Sequence, residues 1–212
     1  MTISWPFKTF VFATMLAVSG LMMSAPASHA QTDGERAAIF IADVVGKTMS
    51  AMTEEGLTAK QQEERFRELF TTYIDIPFIG QFVAGRYWKK AGDAEQERFL
   101  TLMEDVTVLT WASRIARYSD YGMEVVGPKE SSAEDTFIET NFQVPSGPPV
   151  NFIWRMAPKG ESFLIRDMII EGASMAITHR SEYQSVIRRS GGSLSGLNDA
   201  LEKKVAQLRA TN

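Results

Sequence analysis

Asp75, Asp167, Glu171 and His179 are the side chains in this sequence best suited to acid–base work. A buried carboxylate pair in a small pocket can run proton-transfer chemistry of the isomerase or hydratase kind, with a histidine as acid or base. Each also has a plainer use. Asp75 precedes the segment containing Pro77 and suits a helix cap. Asp167 follows Arg166, where solvent-facing ion pairs are common. Ser174 has no base beside it in sequence and reads as an N-cap rather than a nucleophile. The rest of the inventory removes other chemistries. The 212 residues contain no Cys and only two His. Thiolate nucleophiles, disulfides, Cys-ligated zinc and His-rich metal sites are therefore excluded. No cofactor is expected, and an enzyme is the disfavoured reading.

One of the two histidines belongs to the leader. Lys8, an apolar run from Thr9 to Met23 and the small residues of Ala25-Pro26-Ala27-Ser28-His29-Ala30 together read as a secretory signal peptide. The run is shorter than the roughly 20 residues of an ordinary membrane span. Cleavage is expected after Ala30, with Ala27 as the alternative. That leaves one domain, 31–212, with His179 as its only histidine and a net charge that moves from −4 to −5 on loss of Lys8. Such a chain is a poor partner for nucleic acid, whose phosphates call for clustered Lys and Arg. No later stretch is apolar enough to span a bilayer. Export without cysteines fits a bacterial periplasm.

The elements that would position any site divide by period. Residues 33–119 read as helical. Asp33 can cap a first helix carrying Ala37, Ala38, Ile41, Val44, Val45, Met49 and Met52 on one face; Gly56 ends it. Thr58 with Gln61 resembles a capping box for a second helix through Phe66, Leu69, Phe70 and Tyr73. A short segment runs from Asp75 to Ala84 and closes at Gly85. Asp93 with Gln96 caps a long helix to about Tyr118. After Tyr121 the period becomes two, and 123–126, 136–144, 150–157 and 162–171 read as four strands joined by turn-rich linkers. Gly172 suits a tight exit turn. From Ala176 the helical period returns, interrupted at 190–193. The expected class is α+β: helices around a curved, mainly antiparallel four-stranded sheet.

The strands carry the functional hint. Ile138, Phe142 and Val144 share one face of the second strand, as Val150, Phe152, Trp154 and Met156 do in the third. In the fourth, Met168, Ile169 and Ile170 are apolar in succession, so both faces there meet apolar surroundings. Helices on both sides would explain this, as would an apolar cavity for a ligand. Phe78, Phe82, Trp88, Trp111 and Met175 suit either. Tyr87 and Trp88 fit the mouth of such a cavity or ordinary packing. Arg86 fits a lipid phosphate or a surface ion pair.

Asp75-Ile76-Pro77-Phe78-Ile79 followed by Gly85-Arg86-Tyr87-Trp88 forms one half of a longer pattern. Arg166-Asp167-Met168-Ile169-Ile170-Glu171-Gly172-Ala173-Ser174-Met175, with Arg180-Ser181-Glu182-Tyr183 behind it, forms the other. In order and spacing the two resemble the MlaC family, the toluene-tolerance auxiliary components of lipid-transport ABC systems. The resemblance spans about Ala37 to Leu208. It implies a monomeric periplasmic carrier with an apolar cavity for phospholipid, or for hopanoid in a related branch. Its implied partners are an outer-membrane lipoprotein complex and an inner-membrane ABC transporter fronted by an MCE-domain protein. It implies a lining drawn from Phe78, Phe82, Tyr87, Trp88, Trp111, Phe142, Phe152, Trp154, Met168, Ile170 and Met175, with Arg86 at the mouth. The family pattern more often has Asn followed by Tyr where this chain reads His179-Arg180, which argues against an inherited histidine role.

Overall fold

The computed structural model describes residues 32–115, 121–129, 131–132 and 134–211. The expected leader with its cut at Ala30 or Ala27, and the extension of the fourth helix to Tyr118, lie outside the described residues. Helix α1 spans Asp33–Thr53. Its cap is Thr32 rather than Asp33. The Thr32 hydroxyl accepts from Glu35 N while the Glu35 carboxylate accepts from Thr32 N, so two first-turn donors are satisfied reciprocally. Helix α2, Ala59–Tyr73, starts at the expected Thr58–Gln61 box. Helix α3, Ile76–Ala84, starts at Asp75, whose carboxylate accepts from Phe78 N. A 3₁₀ segment, Gly85–Lys90, leads into α4, Asp93–Ile115. There Asp93 is the first helical residue, and the Gln96 amide donates back to the carbonyls of Trp88 and Ala91 instead of closing a box with Asp93.

The sheet has five strands: β1 Met123–Pro128, β2 Thr136–Phe142, β3 Val150–Lys159, β4 Ser162–Ile170 and β5 Ala173–Ser174. They pair in chain order, all antiparallel. The expected count of four is corrected by β5, whose two residues are too few to show a period. The chain reaches it through Glu171 (φ 48°) and Gly172 (φ 80°), consecutive left-handed residues that make the two-residue hairpin. Glu171 is thus a turn residue and not the end of a strand. It is held there by Asn151, which accepts from Glu171 N and donates its own N–H to the Glu171 carboxylate. Helices α5, Met175–Arg189, and α6, Leu194–Thr211, complete the chain. Ser174 caps α5 by accepting from Ile177 N.

Register shifts at Val125/Gly127 and Arg155/Met156 bend the sheet. At the second, Met156 pairs with Ile165 and Arg155 with Asp167, leaving Arg166 as the extra residue. The apolar interior separates into clusters. Ala37, Ile41, Val44 and Val45 of α1 close over Ile138, Met156, Phe163 and Ile165 of the sheet. A second cluster joins α3, α4, α5 and α6 around Val83, Phe99, Ile187 and Leu197. A third, smaller one joins Met52, Phe66, Val108 and Ala112 of the first, second and fourth helices.

Tyr183 packs edge-on against Phe99 beside the helical cluster. Burial, reinforced by the Glu182 carboxylate, pushes its phenol up to about 12. The folded protein therefore holds this proton more tightly than the unfolded chain, whose tyrosines titrate near pH 10. The sign follows: stability is fully present below about pH 10 and falls as pH rises towards 12. Ultraviolet titration should show one tyrosine ionising about two units late, and Tyr183→Phe should abolish that late phase. A late phase that survives the substitution would contradict the assignment.

Candidate ligand-binding face

Strand pairing brings Phe142, Phe152, Trp154 and Met168 onto one face of the sheet. Phe152 stands opposite Thr140 on β2 and Ile170 on β4, while Trp154 stands between Ile138 and Met168. The rings form a continuous row, tilted with centroids 4.6 Å apart for Phe142–Phe152 and stacked at 6.0 Å for Phe152–Trp154. Burial is graded along this face. Ile138 and Met156, under α1, are fully buried; Phe142, Phe152, Met168 and Ile170 are half-buried, as are Met123 and Val125 of β1. One polar pair lies within the face. The buried Trp154 indole N–H donates to Thr140 Oγ1 at 2.9 Å, which removes the cost of a dry, unpaired donor.

The opposite face is organised by charge. Asp135, 5% exposed, accepts from Arg155 through Nε and Nη2 and from Arg166 Nη1. Arg166 Nε reaches on to Asp75, the cap of α3, at 2.9 Å. Phe78 lies under both guanidiniums, with Arg166 4.2 Å and Arg155 5.6 Å from its ring centroid. Its neighbours are cations. Asp167 also departs from expectation. It does not form a solvent-facing pair with Arg166. The extra residue at the register shift breaks the alternation there, and Asp167, 8% exposed, accepts instead from the Ser174 hydroxyl and Ala176 N.

The remaining expected lining residues lie elsewhere. Phe82, Tyr87 and Trp88 pack in or against the helical cluster, where Trp88 meets Phe99 edge-on. Arg180 covers the Phe82 ring and donates to the Phe82 carbonyl. Trp111, 41% exposed, sits beside Arg114. Met175 is the first, half-buried residue of α5. Arg86 lies over the Tyr87 ring and donates to its hydroxyl, in place of a surface ion pair. The four acid–base candidates have separate partners: Asp75 has Arg166, Asp167 has Ser174, Glu171 has Asn151, and His179 has Glu182.

Two concavities stand out among the described residues. One of about 650 Å³ is an open groove between α1 and α2, bordered by Asp43, Gly46, Lys47, Ser50, Ala51 and Leu69. The other, about 80 Å³, lies between the 3₁₀ segment and the start of α6, beside Tyr87, Lys90, Ser193 and Leu194. Of the expected lining residues, only Tyr87 borders either one. Sequence reasoning missed Thr140, although period two places it between Ile138 and Phe142 on the aromatic face. It also missed Asp135, which stands just ahead of β2, where no alternation reports on it.

The family model described as "MlaC protein" matches residues 42–203. A curated relative, the intermembrane phospholipid transport system binding protein MlaC of Haemophilus influenzae, is 21% identical over 124 residues, or 56% of this chain. The match spans 58% of that relative's length. A solved structure, the phospholipid-binding protein from Ralstonia solanacearum in complex with a phospholipid, is similar with a TM-score of 0.73 at 17% identity. It covers 82% of this chain and 98% of the other. At that identity the likeness shows a shared α+β fold.

The charged face yields a stability prediction. Asp135→Asn leaves Arg155 and one arm of Arg166 without their carboxylate. After allowance for the partial exposure of both arginines, the loss should be about 2–3 kcal/mol. That corresponds to a fall of roughly 4–12 °C in Tm for a domain of this size. Asp199→Asn, which breaks an exposed pair with Arg98, should cost under about 1 kcal/mol. Equal losses in calorimetry would deny the network its special role.

Proposed function

The chain belongs to the MlaC family, and from that premise we propose that it is a periplasmic carrier of phospholipid with no catalytic step. The lipid would travel between an outer-membrane lipoprotein complex and an inner-membrane ABC transporter fronted by an MCE-domain protein. The observation that carries the reading is the half-buried end of the aromatic face, Phe142, Phe152, Met168 and Ile170, which continues from the buried Trp154. A protein with no apolar ligand gains nothing from leaving such a face half-covered.

The physical need is clear. Each methylene exposed to water costs roughly 0.8 kcal/mol, so about 30 methylenes in two acyl chains cost on the order of 20 kcal/mol. A bare lipid does not cross an aqueous compartment at a useful rate. The carrier must offer surroundings about as apolar as a bilayer, and no stronger, or unloading stalls. An aromatic face with one internally satisfied polar pair meets that requirement. Methionines at 123 and 168 add side chains that adapt to tails of different shape. Tails enter from the half-buried end, because α1 seals the other. The head group stays in water and needs no buried charge.

Met168→Trp should fill part of the tail space while keeping an apolar side chain. Transfer of labelled phospholipid between vesicles is expected to fall by about tenfold, with circular dichroism and Tm close to the parent protein. Unchanged transfer by a folded Met168→Trp protein would remove this face from the path of the lipid.

A further inference from the structure

The protein is acidic overall, and half of the cations among its described residues are paired: Arg36, Lys47, Lys60, Arg65, Arg67, Arg98, Lys129, Arg155, Arg166 and Arg209 each hold a carboxylate. Of the exposed cations left without one, four lie together; Arg86, Arg114, Lys159, Lys203 and Lys204 are the others among the described residues. Lys89 and Lys90 end the 3₁₀ segment, and Arg188 and Arg189 end α5. None of these four has a carboxylate partner among the described residues. The chain brings them to one end of the molecule. Lys90 borders the same small crevice as Gly192 and Ser193. Gly192 N in turn donates to Ile187 O, which folds the loop back onto the last turn of α5, where Arg188 and Arg189 stand. The loop tip itself, Gly191 and Gly192, is exposed and without side chains, and Lys89, Lys90, Arg188 and Arg189 are all exposed. Glu95, half-buried in the crevice, is the acidic group on that wall.

We propose that this basic end, Lys89 and Lys90 with Arg188 and Arg189, docks the protein on an anionic phospholipid bilayer surface. An acidic protein surface has the same charge, but the patch lacks what a protein interface needs. Such interfaces are anchored by desolvated aromatic or aliphatic side chains. The exposed large apolar residues here, Ile39, Trp111, Val126 and Ile177, stand on α1, α4, β1 and the first turn of α5, away from its last turn. Attraction to a charged bilayer needs no such anchor. It is Coulombic, accumulates with each Lys or Arg, and is screened by salt. A protein with net charge −4 is repelled by that surface in most orientations, so four unpaired cations at one end also set which end arrives first.

The inference goes beyond lipid carriage and is separable from it, because vesicle binding and bound-lipid content are measured independently. The probe is co-sedimentation with vesicles of equal parts phosphatidylglycerol and phosphatidylcholine, with pure phosphatidylcholine as the neutral comparison. Binding to the anionic vesicles should be seen at about 10 mM salt, where the Debye length is roughly 30 Å, and lost near 1 M, where it is roughly 3 Å. The triple variant Lys90→Glu, Arg188→Glu, Arg189→Glu should lower partitioning on the order of a hundredfold, at about fivefold or more per cation. The double variant Lys203→Glu, Lys204→Glu, exposed on α6 more than two turns from its start, should lower it far less. Both should keep the parent Tm and the same extractable lipid per protein. No binding by the parent protein, an unaffected triple variant, or equal losses in the triple and double variants would overturn the proposal. So would a patch required for capture by an acidic protein acceptor while vesicle binding stays unchanged.

Discussion

Arg166 is the joint on which the architecture depends. It is the extra residue of the β3–β4 register shift, and from that place its guanidinium holds Asp135 ahead of β2, Asp75 at the cap of α3, and the face of Phe78. Breaking a buried pair on one side leaves an uncompensated charge in low dielectric, which is costlier than never having built the pair. Sheet and helical cluster therefore keep one relation. Asp75 N–H also donates to Ile165 O at the same point, so backbone and side chain fasten α3 to β4 together. Charge does this work on one side of the sheet and leaves the other side apolar apart from the Trp154–Thr140 pair.

That freedom explains the division of the aromatic residues. Phe142, Phe152 and Trp154 lie on a face closed by α1 with Tyr73 and Ile74 at the end of α2, and Phe142 and Phe152 stay only half-buried there. Phe82, Tyr87, Trp88 and Phe99 serve a different purpose, filling the space among α3, α4, α5 and α6. A large apolar residue buried from all sides stabilises the fold by its full transfer energy. One left half-covered gives up part of that energy, a deficit that an apolar ligand would recover under the proposed function. The large apolar residues thus divide between clusters packed from all sides and a sheet face that is only partly covered.

Much of the fold was legible in the sequence. Thr58 with Gln61, Asp75 ahead of Pro77 and Ser174 ahead of α5 all act as caps, because capping depends on residues within one turn. Alternation placed Phe142, Phe152 and Trp154 on one face for the same local reason. What escaped depends on distance or on an irregularity. A register shift reverses the face of every later residue, so Asp167 read as a surface partner for Arg166 when it is buried against Ser174. Periodicity tells which side of an element is apolar and not which element covers it. Phe78, Phe82 and Trp111 share the apolar character of the sheet aromatics in sequence, but Phe78 packs under Arg155 and Arg166, Phe82 against the helical cluster and Trp111 beside Arg114. The cap of α1 fell one residue early because Thr32 and Asp33 are both competent, and only Thr32 is spaced three residues from Glu35.

The central claim is that the half-covered aromatic face carries lipid in the cell. Native mass spectrometry of the protein, purified from cells without detergent, tests it most directly. The account predicts a mass above that of the polypeptide by one or more lipids, with phospholipid or hopanoid recovered in the organic extract. A protein that runs at its bare polypeptide mass, with no extractable lipid, would contradict it.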